Sequence, residues 1–256
     1  MALIDCKFFS ETLGLSSSMR VILPEETQGQ IGLAGHSRGA RHPTLYLLHG
    51  LSDDETIWSR RTSIERDATA LGLAVVMPNV HKSFYVNMKH GLRYWDFVSE
   101  ELVFKARSFF PLSSRREDTF VAGLSMGGSG AFLLGLRKPE QYAAAASLSG
   151  AFDLAATRRG EEFALAFGAD ADLRGTEYDF FHLASRLGSS DGRRPRLYQC
   201  CGTEDFLYEE NVRLRDHLRG LPFDYTYEEG PGKHDWAYWD AMIQRVLAWL
   251  PLRAQT

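Results

Sequence analysis

Cysteine is scarce in this chain: Cys6, Cys200 and Cys201 are the only three in 256 residues. An odd count with two neighbours adjacent excludes a disulfide framework as the source of stability. Cys200 and Cys201 fall inside an apolar run, so free core thiols are expected. No apolar stretch approaches the roughly 18 residues that a membrane span needs. The start Met1-Ala2-Leu3-Ile4-Asp5 lacks the basic residues and apolar stretch of a secretory signal. Together these point to a cytoplasmic protein without a membrane partner. A basic excess is missing too, with 29 Lys and Arg against 33 Asp and Glu, a net charge of −4. The signs are interspersed, which leaves no basic face for nucleic acid. HExxH, paired CxxC, a Walker A loop and a complete GxGxxG are all absent, so no metal, nucleotide or other cofactor is expected.

What is present is 44% hydrophobic residues over 256 positions. That suffices for one domain over residues 1–256 that buries roughly three quarters of its unfolded surface. Short apolar runs read as strands: Ile4–Phe9, Met19–Leu23, Thr44–Leu48, Leu73–Met77, Asp118–Leu124, Tyr142–Ser149, Arg196–Cys201 and Phe223–Tyr227. Helical patterns fall between them at Ser63–Ala70, Trp95–Phe109, Met126–Lys138, Leu207–Leu218 and Asp235–Leu250. Such alternation requires an α/β fold, a mostly parallel central sheet with helices on both faces. The first two strands are expected to pair antiparallel at its edge. Residues 151–188 break the rhythm and read either as a cap-like insertion over the site or as an ordinary surface excursion. In sheets of this kind, function gathers beyond the carboxyl ends of the strands.

The pattern Gly-x-Ser-x-Gly occurs twice, as Gly35-His36-Ser37-Arg38-Gly39 and as Gly123-Leu124-Ser125-Met126-Gly127. A chance match is expected on the order of 0.2 times in a chain of this composition, so the flanks must decide. A hydrolase nucleophile sits on a sharp turn between a buried strand and a helix, and its neighbours are glycine because side chains would clash. Ser125 has that frame: an apolar strand before it, and after it a helical run closed by Pro139. Ser37 follows a polar stretch, and Pro43 opposes a helix after it. Ser125 is the expected nucleophile, Ser37 a loop residue.

A serine hydroxyl needs a base to take its proton, and an acid to orient that base. In the chain order of the α/β hydrolases, both lie downstream of the serine at strand ends. The turn Gly202-Thr203-Glu204-Asp205 offers two acids, of which Asp205 is preferred and Glu204 held in reserve. The loop before the last helix delivers His234. The oxyanion of a tetrahedral intermediate needs two backbone N–H donors. Met126, following the nucleophile, supplies one. The loop after the first central strand supplies the other, through Leu51 with Gly50 as neighbour, and His49 is expected to orient that loop. Trp58, Tyr94, Trp95 and Trp236 are candidate walls of a substrate pocket, because they sit near strand ends.

With these residues in place the chain resembles the esterase D branch of the α/β hydrolases, and within it the tributyrin esterases most. The likeness rests on Leu45-Tyr-Leu-Leu-His-Gly50, Trp58, Val76-Met-Pro-Asn79, Ala122-Gly-Leu-Ser-Met-Gly-Gly128, Cys201-Gly-Thr-Glu-Asp-Phe-Leu-Tyr208 and His234-Asp-Trp-Ala-Tyr-Trp239, in that order. It implies the triad Ser125, Asp205 and His234, oxyanion donors Leu51 and Met126, and a preference for short-chain acyl esters. The loop Gln28–Arg41 and the 151–188 stretch depart from it, so the substrate does not transfer with the triad. The expected partner is a small-molecule ester, and the sequence admits a homo-oligomer. The rival expectations are an S-formylglutathione hydrolase-type thioesterase, an acetyl xylan or feruloyl esterase, and a hydrolase scaffold that only binds.

Overall fold

The computed structural model describes residues 1–29, 31–32, 35–154 and 160–253. Eight strands form one sheet: β1 (Ala2–Ser10), β2 (Leu15–Leu23), β3 (Thr44–Leu48), β4 (Ala74–Pro78), β5 (Thr119–Leu124), β6 (Ala144–Leu148), β7 (Arg196–Gly202) and β8 (Tyr225–Gly230). Their spatial order is β1-β2-β4-β3-β5-β6-β7-β8. Only β2 runs against the rest, pairing antiparallel with β1 and with β4. The remaining neighbours pair parallel. This is the α/β-hydrolase arrangement, a mostly parallel sheet with helices on both faces.

The helices are α1 (Ile57–Arg61), α2 (Ile64–Ala70), α3 (Tyr94–Asp96), α4 (Leu102–Phe109), α5 (Met126–Arg137), α6 (Gly160–Phe167), α7 (Phe180–Gly188), α8 (Tyr208–Arg219) and α9 (Trp236–Trp249). β3 shows why both faces must be covered: all five of its residues are buried. Tyr46 and Leu48 enter one core with residues of α4, α5, α7 and α8. Leu45 and Leu47 enter the other with residues of α1, α2 and α9. Side chains alternate along a strand, so an apolar run with no polar partner face has to lie between two layers. Each leucine buried this way contributes about 1.5–3 kcal/mol.

Several boundaries differ from the sequence reading, for identifiable reasons. β2 begins at Leu15, because Ser16, Ser17 and Ser18 pair with Phe9, Phe8 and Lys7; backbone pairing overrides the weak strand propensity of serine. The short helix α1 carries too few residues to show a period. A π-helical turn, Phe97–Glu101, joins α3 to α4. β8 starts two residues later than expected, and its residues are only half-buried. In the 151–188 stretch, α7 is a core element, burying Phe180, Leu183 and Ala184. α6 ties to the loop after β4, with the Lys89 and His90 N–H groups donating to the Ala166 and Leu165 carbonyls at 2.7 and 2.9 Å. Residues 155–159 of that stretch lie outside the described residues. All three cysteines are free thiols, Cys200 and Cys201 buried. Among the described residues no helix is long and apolar enough to cross a membrane.

Candidate active site

β5 ends at Leu124 and α5 begins at Met126, leaving Ser125 alone to make the turn. Its backbone is at φ 51°, ψ −121°, a conformation costing about 1–3 kcal/mol for a residue with a side chain. The surroundings impose it. A Cβ on Gly123 would lie 2.3 Å from the Gly127 carbonyl oxygen, and one on Gly127 would lie 2.5 Å from that of Leu48. Any other residue at either place would push the helix off the sheet, which is the physical content of the two glycines around the serine. The Ser125 N–H donates to the Leu148 carbonyl at 2.9 Å, fixing the turn to β6. The hydroxyl is left clear of the backbone above the sheet.

Two loops bring the partners. Glycine at 202 lets the turn after β7 press against the loop after β8, since a Cβ there would lie 2.3 Å from the Gly232 carbonyl oxygen. Across that contact the Thr203 and Glu204 N–H groups donate to the Gly230 and Gly232 carbonyls at 2.9 and 3.0 Å. His234 and Asp205 meet as a result. His234 Nδ1 lies 2.9 Å from Asp205 Oδ2 and 3.1 Å from Oδ1. On its other side, Nε2 lies 2.9 Å from Ser125 Oγ. Both contacts are satisfied when Nδ1–H donates to the carboxylate and the Ser125 hydroxyl donates to Nε2.

Asp205 is 5% exposed. Burial works against its charge, but the hydrogen bonds from His234 and the Leu207 N–H hold the carboxyl below the ordinary carboxylate range. It is therefore an anion wherever His234 needs orienting. Glu204, the reserve, is exposed, and the carboxylate at His234 Nδ1 is that of Asp205. Ser37 lies in an irregular loop, and its hydroxyl donates to the Gly39 carbonyl at 3.2 Å.

The loop after β3 stands beside the turn, with Gly50 packed against Leu124 and Ser125. His49 anchors it. Buried at 1% exposure, its Nδ1 lies 2.7 Å from the Gly50 carbonyl oxygen and its Nε2 accepts the Val80 N–H at 3.1 Å. The Tyr85 hydroxyl donates to the His49 carbonyl at 2.9 Å. Burial lowers the His49 pKa from 6.5 to about 4, so the ring is neutral near pH 7 with its proton on Nδ1. This ring is a buried brace of the loop. Leu51, next in the chain, is half-buried against the core, and Met126 opens α5, whose first N–H groups lack intrahelical partners. The positive end of that helix also faces the turn.

The expected pocket walls fare unevenly. Trp58 is 1% exposed, and its indole N–H donates to the Leu48 carbonyl at 3.0 Å; it braces the carboxyl end of β3. Trp95 lies under the Arg137 guanidinium, 3.7 Å from its ring centre. Arg137 closes α5 about 17 Å along the helix from Met126, so Trp95 belongs to the far end of that helix. Tyr94 lines a separate cavity with His81, Met88, Leu92 and Leu165. Trp236 belongs to an aromatic chain in which Trp58, Trp236, Trp239 and His234 pack at successive ring separations of 5.4, 5.2 and 4.8 Å.

Two residues escaped the sequence reading. Ser149, at φ 50° and fully buried, accepts the Trp239 indole N–H at 3.2 Å and helps hold the Asp205 charge. Its place directly after β6 was the available signal. Phe206 is 74% exposed, yet its ring packs 4.5 Å from that of His234; adjacency to Asp205 was the only hint.

Residues 10–250 match the profile of the family described as "Putative esterase". The chain belongs to that family. Among the relatives of this esterase, an acetyl esterase of Caldicellulosiruptor saccharolyticus is 31% identical over 263 residues, covering 98% of each chain. The substrate-bound fluorophosphonate-binding serine hydrolase F of Staphylococcus aureus is 38% identical with a TM-score of 0.87, over 97% of this chain and 98% of its own. An S-formylglutathione hydrolase of the same organism is 38% identical with a TM-score of 0.84 over the same shares.

Proposed function

We propose that this carboxylic ester hydrolase is a serine esterase acting on short-chain acyl esters through Ser125, His234 and Asp205. The observation that carries the reading is the contact of 2.9 Å between Ser125 Oγ and His234 Nε2, made from a strained strand-to-helix turn with Asp205 behind the ring. As Ser125 Oγ attacks the ester carbonyl carbon, its proton passes to His234 Nε2. Asp205 holds Nδ1–H and stabilises the imidazolium that forms. The carbonyl oxygen becomes an oxyanion held by the N–H groups of Leu51 and Met126, each donor contributing about 2.7–4 kcal/mol by the cost of removing one in a comparable enzyme. Collapse expels the alcohol, which takes the proton from His234 and leaves an acyl-Ser125. Water then attacks the acyl carbon, giving its proton to His234, and a second collapse releases the carboxylic acid and returns the proton to Ser125.

Within the family, the motif likeness supports a tributyrin esterase-type preference for small acyl groups. A cytoplasmic location fits three free thiols. The second reading, a thioesterase for S-formylglutathione, is favoured by the 38% identical hydrolase of that name. It uses the same atoms with a thiolate as leaving group. A series of p-nitrophenyl esters of rising acyl length tests the first reading: kcat/KM is expected to be highest for acetate to butyrate and to collapse for long chains. A kcat/KM for S-formylglutathione far above that for p-nitrophenyl acetate would favour the second reading instead.

A further inference from the structure

At the amino ends of β3 and β5, away from the triad, a cavity of about 760 Å³ opens between the Ser37–Pro43 stretch, the Ser113–Asp118 loop and Arg253. Four arginines line it, Arg38, Arg41, Arg115 and Arg253, and among the described residues Asp118 is its one lining acid. In a chain of net charge −4, this is a local inversion of sign. The charges are only partly answered. Arg253 lies 3.2 Å from Asp118 and 3.9 Å from Glu117, and Arg115 reaches Asp118 at 3.9 Å. Among the described residues, no carboxylate lies within ion-pair distance of Arg38 or Arg41.

Backbone carbonyls hold these two instead: Arg38 donates to the carbonyls of Leu71 and Arg253, and Arg41 to that of Leu112 at 3.3 Å. A guanidinium anchored by carbonyls is fixed in direction yet keeps its full charge and its remaining N–H donors. Ser37, Ser113 and Ser114 border the same cavity, the Ser37 hydroxyl donating to the Gly39 carbonyl and that of Ser113 to Asp118 Oδ2, and Pro43 is the only apolar residue larger than glycine among the described lining.

We propose that this cavity is a second binding site, for a small phosphate-bearing molecule. Arginine forks match the tetrahedral oxygens of phosphate in paired hydrogen bonds. The volume is that of a small-molecule site rather than of a bare ion. Eight of its ten described lining residues carry polar or charged side chains, which suits a polar ligand. From Pro43 at the cavity to His49 beside Ser125 the chain runs along β3, about 20 Å of extended chain, so an occupant does not compete with an ester. The first Gly-x-Ser-x-Gly copy thereby gains a role of its own, since Ser37 and Gly39 both border this cavity.

Titration calorimetry and thermal unfolding with inorganic pyrophosphate, orthophosphate and ADP, at ionic strength matched by NaCl, test the proposal. Saturable binding of pyrophosphate with Kd of roughly 1 mM or tighter is expected, unchanged in Ser125→Ala. The double variant Arg41→Gln, Arg115→Gln is expected to weaken it at least about tenfold, and Ser37→Asp, which adds a carboxylate to the wall, to do the same. Both variants should hydrolyse p-nitrophenyl acetate at the unaltered rate, which shows that they fold. ADP binding tighter than pyrophosphate would mark a nucleotide-like ligand, and equal binding would mark phosphate alone as the recognised group; either supports the site. No saturation up to about 10 mM, an equal effect of NaCl, or undiminished binding in both variants would overturn it.

Discussion

The sharpest consequence of the buried His49 brace is a loss of stability in mild acid. The ring is neutral in the folded protein because burial depresses its pKa from 6.5 to about 4, while the unfolded chain titrates near the ordinary value. Between those two pH values the unfolded state binds the extra proton, so stability rises with pH across the window and falls as pH is lowered through it. At about 1.4 kcal/mol per pH unit, the contribution lost is about 2 kcal/mol at pH 5 and about 3 kcal/mol at pH 4. Replacing the ring isolates the effect. In His49→Asn the Val80 N–H loses its acceptor, which costs about 1–3 kcal/mol at pH 7, but the acid-dependent part disappears with the imidazole. Urea unfolding followed by tryptophan fluorescence, at pH 7 and pH 5 in both proteins, gives the four stabilities. The gap between parent and variant is expected to narrow by about 2 kcal/mol at pH 5. An unchanged gap would refute the neutral, buried imidazole and with it the braced loop beside Ser125.

Three further outcomes follow. Asp205→Asn keeps the shape but removes the acceptor that fixes the His234 tautomer, so kcat for p-nitrophenyl acetate should fall about 10⁴-fold, the loss seen for the equivalent change in a serine protease; a fall below about tenfold would contradict that role. Gly127→Ala places a methyl 2.5 Å from the Leu48 carbonyl oxygen and 2.6 Å from that of His49. It should cost about 3 kcal/mol or more, read as a lowered Tm, and a Tm within about 2 °C of the parent would show the turn to be looser than described. Trp239→Phe removes the indole N–H that reaches Ser149 and should lower kcat with little effect on KM, since it loosens the packing around His234; an unaltered kcat would show that the aromatic chain does not position the ring.

Much of the site was legible in the sequence because its chemistry imposes local rules. An elbow needs a buried strand, a helix and glycines at fixed offsets, and Thr119–Leu124, Met126–Arg137, Gly123 and Gly127 supply them. Acid and base must follow at strand ends, so order and placement pointed to His234 and narrowed the acid to Asp205 with Glu204 in reserve, and the structure brings Asp205 and His234 to Ser125. The walls were less legible. An aromatic at a strand end serves equally well as packing or as pocket, and its use is decided by partners remote in sequence: Leu48 for Trp58 and Arg137 for Trp95. Phe206 and Ser149 escaped for the same reason. Strand and helix types followed from apolar periodicity, whereas the serine-rich half of β2 is a strand only because β1 pairs with it.

Treating the protein with a fluorophosphonate and mapping the adduct by mass spectrometry decides whether Ser125 or Ser37 is the nucleophile. One adduct is expected, on the peptide carrying Ser125, absent in Ser125→Ala and undiminished in Ser37→Ala. An adduct that persists in Ser125→Ala, or that maps to Ser37, would rule out Ser125 as the nucleophile.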